Sequence, residues 1–225
     1  MTRSFAGRTF VLRVDRCAVD DRSTLASDLA FLMANDVRPI VVAPTPDDAR
    51  SYVRALNRQT NVAVGLCGAD GALLPAAGGE AVGRVQTRIL ATLTAAGYIP
   101  VIEPTAYGLG STDIAIAPDA VAAAVAAATD AARAIFFHAA GGVTDPASLT
   151  LVAELTPAEA LALADGDDLD PELRAVVRAA AYGVRAGVHA AQIIDGRIAH
   201  AAIVELLTEQ HLGTQVTGTV YLGAA

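Results

Sequence analysis

The sequence contains no lysine: all 16 basic residues of the 225-residue chain are arginine. Tryptophan is also absent, and aromatic residues make up only 4% of the chain, whereas hydrophobic residues make up 53%. A core of this composition must be built from alanine, valine, leucine and isoleucine. That choice suits helices packed closely on a parallel sheet whose strands are buried on both faces. A chain of this length can form one substantial domain.

Other absences exclude several classes of protein. The net charge is −8 and arginines do not cluster in runs, which argues against a nucleic-acid partner. The two cysteines, Cys17 and Cys67, have no spacing typical of a metal site or a disulfide framework. No apolar run reaches the roughly 20 residues that cross a bilayer, and no apolar signal core follows the N-terminus. We therefore expect a cytoplasmic protein without a nucleic-acid or membrane partner.

Apolar runs bounded by turn residues alternate with segments of helical periodicity. They predict strands over 9–14, 39–43, 61–66, 99–102, 112–116, 134–137 and 187–194, and a terminal hairpin over 213–222. They also predict helices over 23–34, 87–96, 119–129, 171–185 and 199–207, with two more that begin at 46 and 157. Such alternation predicts a three-layer α/β/α sandwich with a mostly parallel central sheet. The acidic loop 165–170 is compatible with a metal site, but a solvated helix entry explains it more simply, and we predict no metal.

Four segments carry a family resemblance. They are Gly-Leu-Cys-Gly-Ala-Asp-Gly at 65–71, Ala-Gly-Tyr-Ile-Pro-Val-Ile at 96–102, Leu-Thr-Pro-Ala-Glu-Ala at 155–160 and Ile-Ile-Asp-Gly-Arg at 193–197. In this order and at these spacings the chain resembles the acetylglutamate kinase branch of the amino-acid kinase family. The resemblance implies a carbamate-kinase-like fold in one domain over 1–225, with an N-terminal lobe over about 1–130 and a nucleotide-side lobe over about 131–225. We expect the last segment to be structural, with an ion pair made by Arg197.

In that family a carboxylate attacks the γ-phosphate of ATP, and the resemblance implies two lysines held by one aspartate, two glycine-rich turns and a substrate lid. Such a transfer is catalysed mainly by positioning and by neutralising phosphoryl charge. Here Arg13 stands where the first strand ends in lysine, and a guanidinium is a broader and more rigid group. Asp15-Arg16 replaces the first glycine pair. Pro44-Thr45-Pro46 replaces the second glycine turn and removes two N–H donors.

Later positions diverge as well. Asp119 survives, but the substrate asparagine position is Ala115. The nucleotide-side segment becomes His-Ala-Ala-Gly-Gly-Val at 138–143 and loses its aspartate, and the second catalytic lysine falls at about Val176. Only residues 47–59 bridge the second and third strands, which indicates that the substrate lid is deleted. These departures indicate a scaffold released from the ordinary reaction.

The candidate site residues follow from these positions. Arg13 and Asp119 are the candidate catalytic residues, and the candidate ligand-binding residues are Asp15, Arg16, Gly68, His138, Gly141 and Gly142. Asp119 either organises Arg13 over the ends of the strands or is an ordinary acid favoured by a helix dipole. His138 is either an acid/base group or a buried, hydrogen-bonded loop histidine.

Three functions remain compatible with this sequence. The first is a kinase-like protein without turnover that binds a small molecule as a regulator or partner subunit. The second is an acetylglutamate-kinase-type phosphotransferase of arginine biosynthesis that uses MgATP. The third is an enzyme with a new reaction in the remodelled pocket. We favour the first, leave the cofactor open, and expect a homodimer or a pairing with an active kinase or another enzyme.

Overall fold

The computed structural model describes residues 5–15, 22–59, 61–78, 81–108, 113–207 and 212–218. Its strands are β1 (Thr9–Arg13), β2 (Arg38–Val42), β3 (Ala63–Leu66), β4 (Ile99–Ile102), β5 (Thr105–Tyr107), β6 (Asp113–Ala115), β7 (Arg133–Phe137), β8 (Glu154–Leu155), β9 (Ala190–Ile194) and β10 (Gly213–Thr217). Its helices are α1 (Arg22–Ala34), α2 (Pro46–Gln59), α3 (Arg88–Ala95), α4 (Pro118–Ala128), α5 (Pro157–Asp165), α6 (Pro171–Arg185) and α7 (Ala201–Leu207).

An eight-stranded sheet in the order β3-β4-β2-β1-β7-β9-β10-β8 forms the centre of the structure. β10 runs antiparallel to β9, and every other neighbouring pair in this sheet is parallel. β5 and β6 form a separate antiparallel pair. The predicted mostly parallel sheet is therefore confirmed.

The two faces of the sheet are covered by two separate cores, which makes the three layers. Along β1, Phe10 and Leu12 face one core and Val11 faces the other, because successive strand residues point to opposite faces. The core that holds Phe10 and Leu12 also contains Leu29 and Leu32 of α1, Tyr52 and Leu56 of α2, and Ala202 of α7. The core that holds Val11 contains Leu90 of α3, Val121 and Val125 of α4, Ala160 of α5, and Val176 and Val177 of α6.

The structure differs from the sequence prediction at two short strands and at the start of a third. β5 and β8 were not predicted, since three and two residues are too few to show a period. The strand predicted over 187–194 begins only at Ala190, because Gly187 has a φ of 118° and the Val188 N–H still donates to the Gly183 carbonyl of α6. The second half of the predicted terminal hairpin lies outside the described residues.

Thr156 caps α5 as its sequence predicts. The Glu159 N–H donates to Thr156 Oγ1 at 3.2 Å, and the Thr156 N–H donates to Glu159 Oε2 at 2.8 Å, so both halves of the capping box are formed. We expect Thr156→Ala to lower the free energy of unfolding by about 1 kcal/mol, because the helix loses its side-chain cap. Urea unfolding followed by circular dichroism measures this loss. Thr156→Ser keeps the hydroxyl and serves as the control, so equal losses in both variants would contradict the assignment.

Candidate functional site

The candidate site lies at the edge of the sheet where the parallel strands end. Arg13 is the last residue of β1, and His138 directly follows the neighbouring strand β7. Asp119 is the second residue of α4, which packs on the same side of the sheet as Val11. Open α/β sheets bind ligands at the carboxyl ends of their strands. The structure thus brings together Arg13, Asp15, Asp119 and His138 from the predicted set.

Arg13 and Asp119 form a buried ion pair. Arg13 Nε and Asp119 Oδ1 lie 2.6 Å apart, and the two side chains are only 10% and 11% exposed. The contact is therefore a close ion pair that both side chains make out of reach of most solvent. Arg13 Nη1 also lies 3.4 Å from Asp15 Oδ1 and donates a long hydrogen bond of 3.4 Å to the Phe137 carbonyl oxygen. One guanidinium therefore faces two carboxylates.

The surroundings of Asp119 disfavour its charged form. Burial raises the pKa of Asp119 above its ordinary value of 3.8, and the nearby charge of Asp15 raises it further. The Arg13 guanidinium and, to a smaller extent, His138 oppose this shift in pKa. The positive charge of Arg13 thus offsets part of the free-energy cost of burying the Asp119 carboxylate.

His138 is buried and its ring is held by the backbone. The Ala140 N–H donates to His138 Nδ1 at 3.1 Å, and the backbone N–H of His138 donates to the Ile194 carbonyl at 2.9 Å. Because His138 Nδ1 accepts the Ala140 N–H, the neutral form of the ring carries its proton on Nε2. The buried, hydrogen-bonded loop histidine is the arrangement observed, and a role in proton transfer stays a prediction.

Gly141 and Gly142 follow β7 and pack tightly against the start of β10. Gly142 has a φ of 148°, and a Cβ at this position would lie 2.8 Å from Thr214 Oγ1. Thr214 Oγ1 accepts the Val143 N–H at 2.8 Å and donates to the Val152 carbonyl at 2.7 Å. The Gly141 N–H donates to the His138 carbonyl. Two N–H groups of this loop are therefore already used within the protein, and phosphate binding by the two glycines stays a prediction.

Gly68 lies away from the Arg13 cluster. It follows β3, which is three strands from β1 in the sheet, a separation of roughly 14 Å at the usual strand spacing. A Cβ on Gly68 would overlap the backbone of Thr105. This close approach explains the glycine without a ligand, and its ligand-binding role is an untested prediction. Arg16 lies outside the described residues.

The segment that replaces the second glycine turn begins a helix. Pro46 is the first residue of α2, and Thr45 caps it by accepting the Asp48 N–H at 3.2 Å. Thr45 Oγ1 also donates to Asp48 Oδ2 at 2.7 Å. The first turn of α2 carries Asp47 and Asp48. Two carboxylates thus stand close to the position where the resemblance implies phosphate-binding N–H groups.

Val176 occupies the position of the second catalytic lysine in the resemblance. It is buried within α6 and belongs to the core that holds Val11. A valine supplies no charge at any pH.

A groove of about 420 Å³ runs between α4 and α6 and reaches Asp119. Its walls are mostly alanine methyl groups, including those of Ala120, Ala123 and Ala179. The groove gives the ion pair an apolar neighbour with space for part of a small molecule.

Glu103 was missed by the sequence reasoning. It directly follows β4 at the same edge of the sheet and is half-buried. Burial raises the pKa of Glu103, and the Arg50 charge opposes this shift. The sequence signal that could have identified Glu103 is its position, because an acidic residue directly after the buried strand 99–102 lies at the edge of the sheet where ligands bind.

The turn after β9 is structural. Arg197 Nε and Nη2 donate to the two carboxylate oxygens of Asp195 at 2.9 and 2.8 Å, and these bonds lower the pKa of Asp195. The predicted ion pair of Arg197 is confirmed.

Two features are absent from the described ranges. Among these residues no group of three or more histidine, cysteine, aspartate or glutamate side chains is arranged to hold a metal ion. No helix within the same ranges is both long enough and apolar enough to cross a membrane.

Comparison with known proteins decides the family. A model of the amino acid kinase family matches residues 49–195. The chain belongs to this family. It is 31% identical to an acetylglutamate kinase of Trichormus variabilis, with 97% of this chain and 91% of that protein covered. It is 32% identical to an acetylglutamate kinase of Thermosynechococcus vestitus, with 96% and 90% covered.

The length of the first alignment also shows that this family member is shorter than its relative. The alignment spans 275 positions, whereas the whole chain has 225 residues, so at least 50 aligned positions have no residue here. Between β2 and β3, where the substrate lid was expected, the structure contains α2 as its one described helix or strand.

Solved structures show the same fold. N-acetylglutamate synthase of Neisseria gonorrhoeae, complexed with coenzyme A and N-acetyl-glutamate, superposes with a TM-score of 0.83 at 20% identity. The match covers 98% of this chain but only 62% of the synthase chain, which is under two thirds of its length. Carbamate kinase of Giardia lamblia bound to AMP-PNP superposes with a TM-score of 0.72 at 12% identity, with 96% and 99% covered. The predicted amino-acid kinase fold is confirmed.

Proposed function

We propose that this family member binds a small molecule as a regulator or partner subunit and does not carry out ordinary phosphoryl transfer. The observation that carries the proposal is that Arg13 is already paired with carboxylates of the protein. Its guanidinium is buried, 2.6 Å from one carboxylate and 3.4 Å from another. Phosphoryl transfer needs positive charge directed at the transferring group. Here the cation at the end of β1 is already balanced.

The surroundings of the ion pair support the proposal. The second cationic position is Val176, inside the core. Pro44 and Pro46 have no N–H to offer a phosphate. The groove beside Asp119 offers apolar walls instead of a polar cradle. These features suit a ligand less charged than MgATP.

The second candidate is an acetylglutamate-kinase-type phosphotransferase. Identity of 31% to an acetylglutamate kinase over 97% of this chain favours it. In that case Arg13 and Asp119 would act on MgATP and an acylated amino acid. To act in catalysis, Arg13 would have to break its ion pair with Asp119, or donate hydrogen bonds to a phosphate while it is still paired.

A thermal-shift titration separates the two candidates. A ligand at 100 times its dissociation constant adds about 2.7 kcal/mol to the free energy of unfolding, which raises Tm by roughly 5–10 °C for a chain of this size. We expect neither MgATP alone nor MgATP with N-acetylglutamate to shift Tm, and we expect no ADP release. An active acetylglutamate kinase measured in parallel is the positive control.

A Tm shift together with ADP release that depends on N-acetylglutamate and is lost in Arg13→Met would overturn the proposal in favour of the kinase.

Light scattering after gel filtration tests the oligomeric state of the chain. We expect a homodimer of the 22.9 kDa chain when no partner is added.

A further inference from the structure

A second pocket lies on the opposite flank of the sheet from the Arg13 cluster. It has a volume of about 250 Å³ and lies between α2 and the edge strand β3. Its lining residues are Ala49, Arg50, Val53, Arg54, Gly65 and Glu103. Nothing in the proposed function uses this pocket.

Two opposite charges, Arg54 and Glu103, line the pocket. Among the described residues, the Arg54 guanidinium and the Glu103 carboxylate make no hydrogen bond or ion pair with each other or with any other group. Arg50 differs, because its Nη1 lies 2.5 Å from Asp47 Oδ1. Since Arg54 and Glu103 line one pocket without touching, the space between them suits a molecule that carries both charges.

The charges around Glu103 favour a cation at its end of the pocket. Burial raises the pKa of Glu103, and the carboxylates of Asp113, Asp70 and Asp47 raise it further. Arg50 acts in the opposite direction. An added ammonium group would relieve the unfavourable surroundings of the carboxylate.

The remaining walls set the size of the ligand. Ala49 and Val53 lie one helical turn apart on α2 and give one apolar side. At Gly65 a Cβ would lie 3.4 Å from Val53 Cγ2, so the missing side chain keeps the pocket open. The volume of 250 Å³ is below the range typical of drug-sized ligands. It suits a molecule of amino-acid size.

We propose that this pocket binds a free α-amino acid in its zwitterionic form, with the carboxylate at Arg54 and the ammonium at Glu103. Guanidinium groups pair well with carboxylates. The site is separate from the Arg13 cluster and does not rest on the proposed function. Its failure would leave the MgATP result untouched.

The first test uses the unmodified chain. Each proteinogenic amino acid is titrated at millimolar concentration while Tm is followed, and any amino acid that raises Tm is titrated by calorimetry. We expect at least one to bind, and we expect its N-acetyl derivative and its α-amide to bind at least tenfold more weakly. The first derivative lacks the ammonium group and the second lacks the carboxylate. If no amino acid raises Tm, or if both derivatives bind as tightly as the parent, the proposal is overturned.

The second test locates the site. Arg54→Gln and Glu103→Gln should each weaken binding of that amino acid about tenfold or more, because each removes a charge-assisted contact. Arg58→Gln is the matched control, since Arg58 is an exposed arginine one turn further along α2 and does not line the pocket. Undiminished affinity in both pocket variants would place the amino acid elsewhere and refute the assignment.

Discussion

Replacing Arg13 with methionine is expected to lower the free energy of unfolding by about 3–5 kcal/mol. The change removes the cation 2.6 Å from Asp119 while the carboxylate stays 11% exposed. A buried charge left without its partner typically destabilises a protein by this amount. Chemical denaturation at pH 7, followed by circular dichroism, measures the loss.

The pH dependence of this loss follows from the carboxylate. In the intact protein Arg13 already opposes the upward shift in the pKa of Asp119. Without Arg13 the pKa of Asp119 rises further in the folded state, whereas the unfolded value is unchanged. A folded-state pKa above the unfolded value means that the folded protein binds more protons between the two values. Stability of Arg13→Met is therefore retained below the ordinary aspartate pKa and lost as pH rises through the elevated value.

A double-mutant cycle supplies the control. Asp119→Leu combined with Arg13→Met removes both charges and keeps apolar volume, and such replacements are often neutral or stabilising. We expect the double variant to recover most of the stability that Arg13→Met loses, with no extra dependence on pH near the elevated pKa. Equal losses in the single and double variants would show that Arg13 contributes packing rather than charge.

The sequence predicted the sheet well because its signals are local. Buried runs such as Ile99–Ile102 end where their turn residues begin, and the capping box at Thr156 depends on residues three positions apart. The meeting of Arg13 and Asp119 was one of two alternatives that the sequence left open for Asp119, since ligand sites in open α/β sheets form where the strands end. These features need only chain order and strand direction.

The second pocket could not be predicted in the same way. Arg54 and Glu103 are 49 positions apart in the sequence, and they line one pocket only because β3 pairs with β4 and α2 lies against that edge. Neither residue belongs to a motif. That the two charges make no hydrogen bond or ion pair among the described residues depends on side-chain placement, which the local sequence pattern does not predict. The same holds for the burial of Asp119, which sets the direction of its pKa shift.

Gly68→Ala is expected to lower the free energy of unfolding by about 3 kcal/mol, the upper end for overpacking. A new Cβ would overlap the Thr105 carbonyl oxygen and would lie 2.9 Å from Ala106 Cα. Both obstacles are backbone atoms of β5, and β5 is held by a hydrogen bond of 3.0 Å from the Tyr107 N–H to the Leu74 carbonyl. A flexible side chain would yield to the new methyl group, but this paired backbone has little room to move.

The matched control for Gly68→Ala is Gly166→Ala. Gly166 ends α5 with a φ of −82°, and a Cβ there would make ordinary contacts at 3.6 and 3.8 Å. Its replacement should change stability by no more than about 0.5 kcal/mol. Urea unfolding of both variants decides between two roles for Gly68. A large loss of stability in Gly68→Ala alone means that this glycine lets the loop after β3 pack on β5. Unchanged stability with a lost ligand would instead place Gly68 in a binding site, because only the ligand would then require the missing side chain.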